Sequence, residues 1–256
     1  FVIDLPVSKT HGRTGITCGL KNMKGVLPGN EKKRTHRLGL DRAIVDLNRV
    51  MMPNLTVVDA IVGRAGTHTH EEDRVALGCV VAGQDVVAVD TVCATIMGFD
   101  VDDILHVKLA GEAGLGEANL AQIEIRGERI ESVAHPFIPY AEAAKVRFGA
   151  VRIIEANTCT GCMGEMESTF LYLNEAGYGE QLKDLTLILG TPDEVPPMTR
   201  TPVIVGKCPR QYRGMGVWVP GCPPHGIKIA DAICEALDLD KGRVHATIER
   251  LHQGGT

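Results

Sequence analysis

The strongest constraint on the fold is the alternation of short apolar runs with longer stretches of helical periodicity. Val-, Ile- and Leu-rich runs with little alternation predict strands at residues 1–5, 56–62, 80–82, 122–126, 151–155, 186–189 and 202–205. Apolar residues at helical spacing predict helices at residues 38–51, 85–97, 101–113, 162–176 and 226–237. This alternation predicts an α/β protein with mainly parallel sheets, strands covered on both faces, and flanking helices.

The chain is predicted to fold as two units. Pro136 and Pro139 interrupt it after a turn at residues 126–128, and a new strand begins near Val151. We therefore expect an α/β unit over residues 1–148 and a smaller flavodoxin-like or Rossmann-like unit over residues 149–256. The first residues read as a strand entered abruptly and without a Met, so we expect the first unit to lack its N-terminal part.

Composition and charge argue against several classes of function. The net charge is −5 with acidic and basic residues intermixed, which is not the basic face expected of a nucleic-acid-binding protein. The sequence has no apolar run of about 18 residues, as a membrane span requires. Eight cysteines in a chain of 256 residues, large enough to form its own core, indicate metal binding rather than disulfides and favour the cytoplasm.

Four of the cysteines are predicted to form one site in the C-terminal third. Cys159 and Cys162 follow a predicted strand and enter a helix, where free N–H groups and the helix dipole favour thiolates. Cys208 follows another strand, and Cys222 opens the last helix. Open α/β sheets place their sites at the carboxyl ends of their strands, so these residues should meet at one edge.

Four cysteine ligands suit either a 4Fe-4S cluster or tetrahedral zinc. Structural zinc sites commonly use two paired C-x-x-C elements, and only one such pair is present, which favours the cluster. A redox-active dithiol at Cys159 and Cys162 would leave Cys208 and Cys222 unexplained. Of the other cysteines, three lie in apolar runs and read as small buried hydrophobic residues, whereas Cys18 lies in a glycine-rich segment.

The cysteine motifs resemble the cluster-binding part of NiFe-hydrogenase small subunits and of the related complex I small subunit. The matching segments are Cys159-Thr-Gly-Cys162, Gly206-Lys-Cys208 and Val219-Pro-Gly-Cys222-Pro-Pro224. The resemblance implies that the four cysteines hold one 4Fe-4S cluster. The hydrogenase pattern places a glutamate two residues after the second cysteine, but this chain has Gly164 there and Glu165 one step on. A proton-transfer role for this glutamate is therefore not carried over.

The chain as a whole also resembles domain-of-unknown-function family 362. The resembling segments are Asp4-Leu-Pro-Val-Ser-Lys-Thr-His11, Thr17-Cys-Gly-Leu-Lys-Asn-Met-Lys-Gly25, Val58-Asp-Ala-Ile-Val-Gly63, Gln84-Asp-Val-Val-Ala-Val-Asp90 and Gly114-Leu-Gly116. This resemblance implies kinship with iron–sulfur proteins but does not supply a reaction.

Polar residues near the N-terminus predict a site for a small anion. Lys9, His11, Lys21, Asn22 and Lys24 lie among glycines, and such side chains bind carboxylates or phosphates. His11 would also suit acid–base chemistry. Asp59, at the end of a predicted strand, is the best carboxylate candidate for this site. The alternative is a polar surface loop.

Two further sets of polar residues could be functional but can also be explained by solvation or by helix capping. His68 and His70, followed by three acidic residues, would suit a metal, although a His-x-His pair in a polar loop is more often solvated. Asp85 is predicted to cap the helix that contains Asp90.

Three functions are compatible with these motifs. The first is a redox protein that passes electrons through one cluster to a small anionic substrate or a partner protein. The second is a non-redox enzyme of the lyase or isomerase type, with a structural cluster or zinc and a Lys/His site. The third is an interaction or assembly protein folded around its cluster. Because a single cluster needs a redox partner within reach, we expect either a separate redox protein or a homo-oligomer.

Overall fold

The structure, a computed structural model, describes residues 1–67, 71–143 and 151–253. The chain divides into two compact units, Phe1–Ala143 and Ala144–Thr256. Each unit has its own apolar core. The predicted boundary after residue 148 falls in the stretch 144–150, outside the described residues.

The first unit combines a five-stranded sheet with helices. Its strands are β1 (Ile3–Asp4), β2 (Val7–His11), β3 (Gly15–Thr17), β4 (Leu55–Arg64) and β5 (Arg74–Gly83). Its helices are α1 (Gly19–Asn22), α2 (Gly29–Leu38), α3 (Leu40–Val50), α4 (Val86–Ile96), α5 (Leu105–Glu112) and α6 (Ile130–Val133).

Strand β4 pairs with three other strands of the first sheet. β1 and then β2 run parallel to it along one side, and β5 runs antiparallel along the other. β3 pairs antiparallel with β2. This sheet is therefore mixed, while five of the seven pairings between described strands of the whole chain are parallel.

Only one face of the first sheet is covered by the core. Along β4, Val58 and Ala60 are buried, whereas Asp59 and Ile61 between and beyond them are exposed. Helices α3, α4 and α5 contribute to the same core as the buried face. The expectation that the strands are covered on both faces is therefore wrong for this sheet, because its helices supply only one apolar layer.

The second unit is a parallel sheet flanked by helices, and with it the α/β prediction is confirmed. Its strands are β6 (Arg152–Ala156), β7 (Thr186–Gly190), β8 (Val203–Val205) and β9 (Val217–Val219), adjacent in that order and all parallel. Its helices are α7 (Thr160–Glu175), α8 (Gly226–Leu237) and α9 (Lys241–Gln253). The whole of β8 is buried, as expected of a central parallel strand.

The strand predicted at residues 122–126 does not form. A short 3-10 helix, Leu120–Gln122, is followed by residues that pair with no described strand. Ile123 and Ile125 have the alternation of a strand, but a strand also needs a partner to hydrogen-bond with.

Candidate metal centre and anion site

Three of the four predicted cysteine ligands lie at the same edge of the second sheet. Cys159, Cys208 and Cys222 each follow the last residue of a strand by three positions, after β6, β8 and β9 respectively. Because these strands are parallel, their carboxyl ends meet at one edge. Cys162 lies in the first turn of α7, which begins directly after Cys159.

The loops that carry Cys208 and Cys222 are hydrogen-bonded to one another. The Gly206 N–H donates to the Val219 carbonyl at 2.9 Å, and the Lys207 N–H donates to the Gly221 carbonyl at 2.9 Å. The Trp218 indole N–H donates to the Gly206 carbonyl at 3.0 Å. These bonds fix the backbone of both loops next to the cysteines.

Glycines let the backbone approach the sulfur atoms. Gly206 has φ +97°, and a Cβ added there would lie 3.4 Å from the Cys162 Sγ. A Cβ at Gly161 would lie 3.6 Å from the Cys159 Sγ and 3.4 Å from Pro223. Gly161 and Gly206 therefore form a cradle in which backbone without a side chain lies against the sulfurs of Cys159 and Cys162.

The pKa values of the first two cysteines depend on each other. Cys159 is the N-cap residue of α7, and the Cys162 thiol, followed by the backbone groups of Cys162 and Gly161, lowers its pKa to about 5. Because the Cys162 thiol donates to Cys159 and is buried, its own pKa is raised. The charges of Cys208 and Cys222 raise it further, so the four sulfurs act on one another electrostatically.

The spacing of the donors bears on which metal group they suit. Among the described residues, no three His, Cys, Asp or Glu side chains are grouped closely enough to hold a single metal ion. A tetrahedral zinc with Zn–S bonds of about 2.3 Å needs sulfurs about 3.8 Å apart. In a cubane cluster each cysteine binds a different iron, so the sulfurs stand further apart. Four cysteines at one sheet edge are a donor set that either metal group could use.

Glu165 caps a helix. Its carboxylate accepts the Gly226 N–H at 2.6 Å, at the first residue of α8. The neighbouring His225 accepts the Ile227 N–H through its Nδ1 at 3.3 Å. These contacts account for Glu165 by helix capping, without a role in proton transfer.

In the first unit the structure brings three lysines together. The half-buried Lys21 donates to the Thr17 hydroxyl at 2.9 Å, and Thr17 lies opposite Lys9 in the β2–β3 register. Burial, and then the charges of Lys24 and Lys9, lower the pKa of Lys21 to about 7. Three cationic side chains thus converge where β3 leads into α1.

The other residues predicted for the anion site are engaged elsewhere. Asn22 donates to the buried Asp4 carboxylate at 2.6 Å, and burial raises the pKa of that carboxyl. His11 accepts N–H groups of its own turn through Nδ1, from Arg13 at 3.2 Å and from Thr14 at 3.3 Å.

The predicted carboxylate Asp59 is held by its own strand. The exposed Asp59 carboxylate accepts the Ile61 N–H at 3.0 Å, and the contacts described for it include none of the three lysines. His68 and His70 lie outside the described residues. The predicted cap at Asp85 is present, since its side chain accepts the N–H groups of Val87 and Ala88.

Sequence reasoning missed a buried polar cluster beside the lysines. The Asp90 carboxylate, inside α4, accepts the Gly19 N–H at 2.7 Å and the Leu20 N–H at 3.1 Å. Burial raises the pKa of Asp90 to about 7, although the two hydrogen bonds by themselves lower it. The only signal was a carboxylate inside an otherwise apolar helix, and its partners are 71 and 70 positions away.

Comparison with known proteins finds a family model that matches part of the first unit. Residues 1–95 match the family described as Domain of unknown function (DUF362). The thylakoid-associated protein sll1697 of Synechocystis sp. is 31% identical over 107 residues, which are 39% of this chain and 33% of that protein. The match thus spans about a third of the relative's length. No solved structure matches the chain. Among the described residues, no helix combines the length and apolar character needed to cross a membrane.

Proposed function

We propose that the protein is an iron–sulfur protein that holds one 4Fe-4S cluster through Cys159, Cys162, Cys208 and Cys222. In this proposal it passes electrons to a small anionic substrate or to a partner protein. The observation that supports the proposal is that the loops carrying the four cysteines follow strand ends at one edge of the sheet, and that Cys208 and Cys222 act electrostatically on Cys162. A bound cluster supplies one-electron redox chemistry, whose potential depends on hydrogen bonds to its sulfurs and on exposure to solvent.

Before metal binds, Cys159 and Cys162 differ in protonation, and Cys208 and Cys222 differ from them in exposure. Cys159 is already a thiolate at neutral pH, because backbone N–H groups and the Cys162 thiol donate to it. Cys162 must lose its proton when metal binds, so loading releases a proton at this pair. Cys208 and Cys222 are exposed, which leaves the rim of the site open to a redox partner.

Cysteine variants test the ligand set. We expect anaerobically purified protein to be brown, with about four irons per chain. Cys208→Ser and Cys222→Ser should each lose most of the iron. Cys234→Ser is the matched control, because Cys234 is buried inside α8 and should not affect metal content. A Cys222→Ser protein with full iron content would refute the assignment, and colourless protein with one zinc would favour the second choice of metal.

We place the small anion at the three lysines. Two exposed or half-buried ammonium groups, Lys9 and Lys24, act on Lys21, and an anion between them would relieve their mutual repulsion. Anion binding should therefore be accompanied by protonation of Lys21. A carboxylate or a phosphate provides the matching charge.

Phosphate is the probe for this site. We expect it to raise the melting temperature of the protein at pH 7 by mass action, and Lys21→Met should abolish the shift. Lys32→Met, an exposed lysine of α2, should leave the shift unchanged. An equal shift in Lys21→Met would rule out this position for the anion.

The pH dependence of stability gives an independent check on Lys21. Its pKa is about 7 in the folded protein and about 10.4 when unfolded, so the unfolded state binds more protons between these values. The free energy of unfolding should therefore rise with pH from about 7 to 10, by at most about 1.4 kcal/mol per pH unit. Lys21→Met should remove this part of the rise.

The lysine site also supports a second candidate function. A lysine with a pKa of about 7 is suited to proton transfer at neutral pH, which favours a non-redox enzyme of the lyase or isomerase type. The cluster, or a zinc, would then be structural. Variants that lose iron but keep both fold and turnover of an anionic substrate would select this alternative over electron transfer.

The compartment follows from the thiols. Eight cysteines in a chain with its own apolar cores indicate metal binding rather than disulfides, which favours a reducing compartment; we therefore propose the cytoplasm. The redox partner is proposed to be a separate protein or a second copy of the chain.

A further inference from the structure

A groove in the first unit lies beside the edge of β5, where one more strand could pair. It has a volume of about 660 Å³ and lies between strand β5, helix α4 and residues 122–128. It shares none of the three lysines or the four proposed cluster ligands. Nothing in the redox proposal uses it.

One wall of the groove is the edge of β5. Six consecutive residues, 78–83, line it. Side chains of a strand alternate between its two faces, so consecutive lining residues show that the strand presents its backbone edge to the groove. β5 pairs only with β4, and no described backbone hydrogen bond reaches its other edge. From Cys79 to Gly83, where β5 pairs regularly with β4, alternate N–H and C=O groups therefore point into the groove; Gly78 lies at a bulge with φ +67°.

The opposite wall is the segment that the sequence predicts as a strand. Residues 122–128 line the groove consecutively, and Ile123 has the extended angles φ −90° and ψ 122°. A Cβ at Gly78 of β5, or at Gly127 of this segment, would meet nothing within 4 Å. The strand-like sequence and the open space are both explained if a strand inserts between the two walls.

The side chains on the floor and rim of the groove indicate which residues an inserted strand would carry. Val89, Val92 and Ile96 of α4 form an apolar floor. The rim carries Glu117, Glu124 and Glu128, whereas its one arginine, Arg126, is paired with Glu124 at 2.8 Å. The rim is thus net acidic.

We propose that this groove binds an extended, basic peptide segment of a partner protein by strand addition to β5. Alternate apolar side chains of the peptide face α4, and its lysines or arginines face the acidic rim. Five regularly paired residues of β5, 79–83, at about 3.3 Å each give the peptide a bound length of about 17 Å. The occupant pairs its backbone with β5, which is the usual mode of strand addition.

The probe is a capped eight-residue peptide in which valine alternates with lysine and threonine. We expect saturable binding and at least tenfold slower hydrogen exchange of the outward-pointing amides among residues 75–83. A peptide with one central residue replaced by proline lacks a backbone donor and should bind at least tenfold more weakly.

Charge reversal on the rim tests the preference for a basic peptide. Glu124→Lys combined with Glu128→Lys changes exposed side chains and should weaken binding about tenfold at low salt. The matched control combines Glu194→Lys with Glu249→Lys, two exposed glutamates of the second unit, and should bind like the unaltered protein.

Three results would overturn the proposal. The first is binding without protection of the β5 amides, and the second is equal binding of the proline peptide. The third is protection of the β5 amides without peptide that increases with protein concentration, since a second copy of the chain would then occupy the edge. Absence of any binding by the basic peptide would equally reject the stated ligand.

Discussion

Cys18 and Cys159 occupy equivalent positions in the two units but have opposite chemistry. Each is the N-cap residue of a helix, and each is hydrogen-bonded to a second cysteine. The pKa of Cys159 is lowered to about 5, whereas that of Cys18 is raised well above its usual value. The helix position alone therefore does not decide whether a cysteine is a thiolate.

The difference lies in the groups around each sulfur. In the second unit, the Cys162 thiol, followed by backbone groups of Cys162 and Gly161, lowers the pKa of Cys159. In the first unit, the N–H groups of Gly19 and Leu20 donate to the Asp90 carboxylate instead. The neighbouring Cys93, burial, and the charges of Asp90 and Asp4 raise the pKa of Cys18. One helix start thus favours a thiolate, the proposed metal ligand, and the other a protonated core thiol.

Thiol alkylation should separate the two cysteines most strongly. In metal-free, reduced protein at pH 7, iodoacetamide should modify Cys159 at least about a hundredfold faster than the buried Cys18, which lacks both thiolate character and access. The rate at Cys159 should stay level above its pKa and fall as the pH drops through about 5. Site-resolved mass spectrometry measures both rates. Comparable rates at the two sites would contradict the stated difference in pKa and access between Cys159 and Cys18.

Removing Asp90 should cost the first unit much of its stability. Asp90→Ala leaves the N–H groups of Gly19 and Leu20 buried without their acceptor, and we expect a loss of about 3 kcal/mol in the free energy of unfolding. Urea denaturation measures it. Asp59→Ala, at an exposed carboxylate with one backbone bond, is the control and should change the free energy by about 0.5 kcal/mol or less. A similar, small change in both variants would show that Asp90 is not the helix partner described.

The smallest expected effects come from two glycines of the second unit. Gly206→Ala forces a side chain into φ +97° beside the Cys162 sulfur and should destabilise by about 1–2 kcal/mol while lowering iron content. Gly164→Ala, in the interior of α7 with open space around it, should stabilise by about 0.5–1 kcal/mol and leave the iron unchanged. Equal effects of the two substitutions on iron content would contradict the proposed cradle.

The cysteine arrangement was predictable because it depends on strand ends. Helix α8 has the predicted bounds, since its apolar spacing starts directly after the Cys-Pro-Pro segment. The strands before Cys159 and Cys208 were recognisable as apolar runs, and parallel strands share an edge. In contrast, β2 was missed because Ser8, Lys9 and Thr10 interrupt its apolar pattern.

The contacts of the N-terminal polar residues were predictable only in part, because closeness in sequence does not fix where side chains point. The charge of Lys9 acts on Lys21, but His11 is held by its own turn and Asp59 by the backbone of β4. The partnership of Asp90 with α1 depends on residues 71 positions apart, which a local pattern does not reveal. The strand expected at residues 122–126 needed a partner that the described chain does not supply.

The central claim is that the thiol-rich edge of the second sheet binds a 4Fe-4S cluster. The most direct test is to determine iron and acid-labile sulfide in anaerobically prepared protein and to record its EPR spectrum before and after reduction. We predict about four irons and about four sulfides per chain, with a paramagnetic signal that appears on reduction. Anaerobic protein that contains neither iron nor sulfide after reconstitution, or that binds a single zinc instead, would contradict the claim.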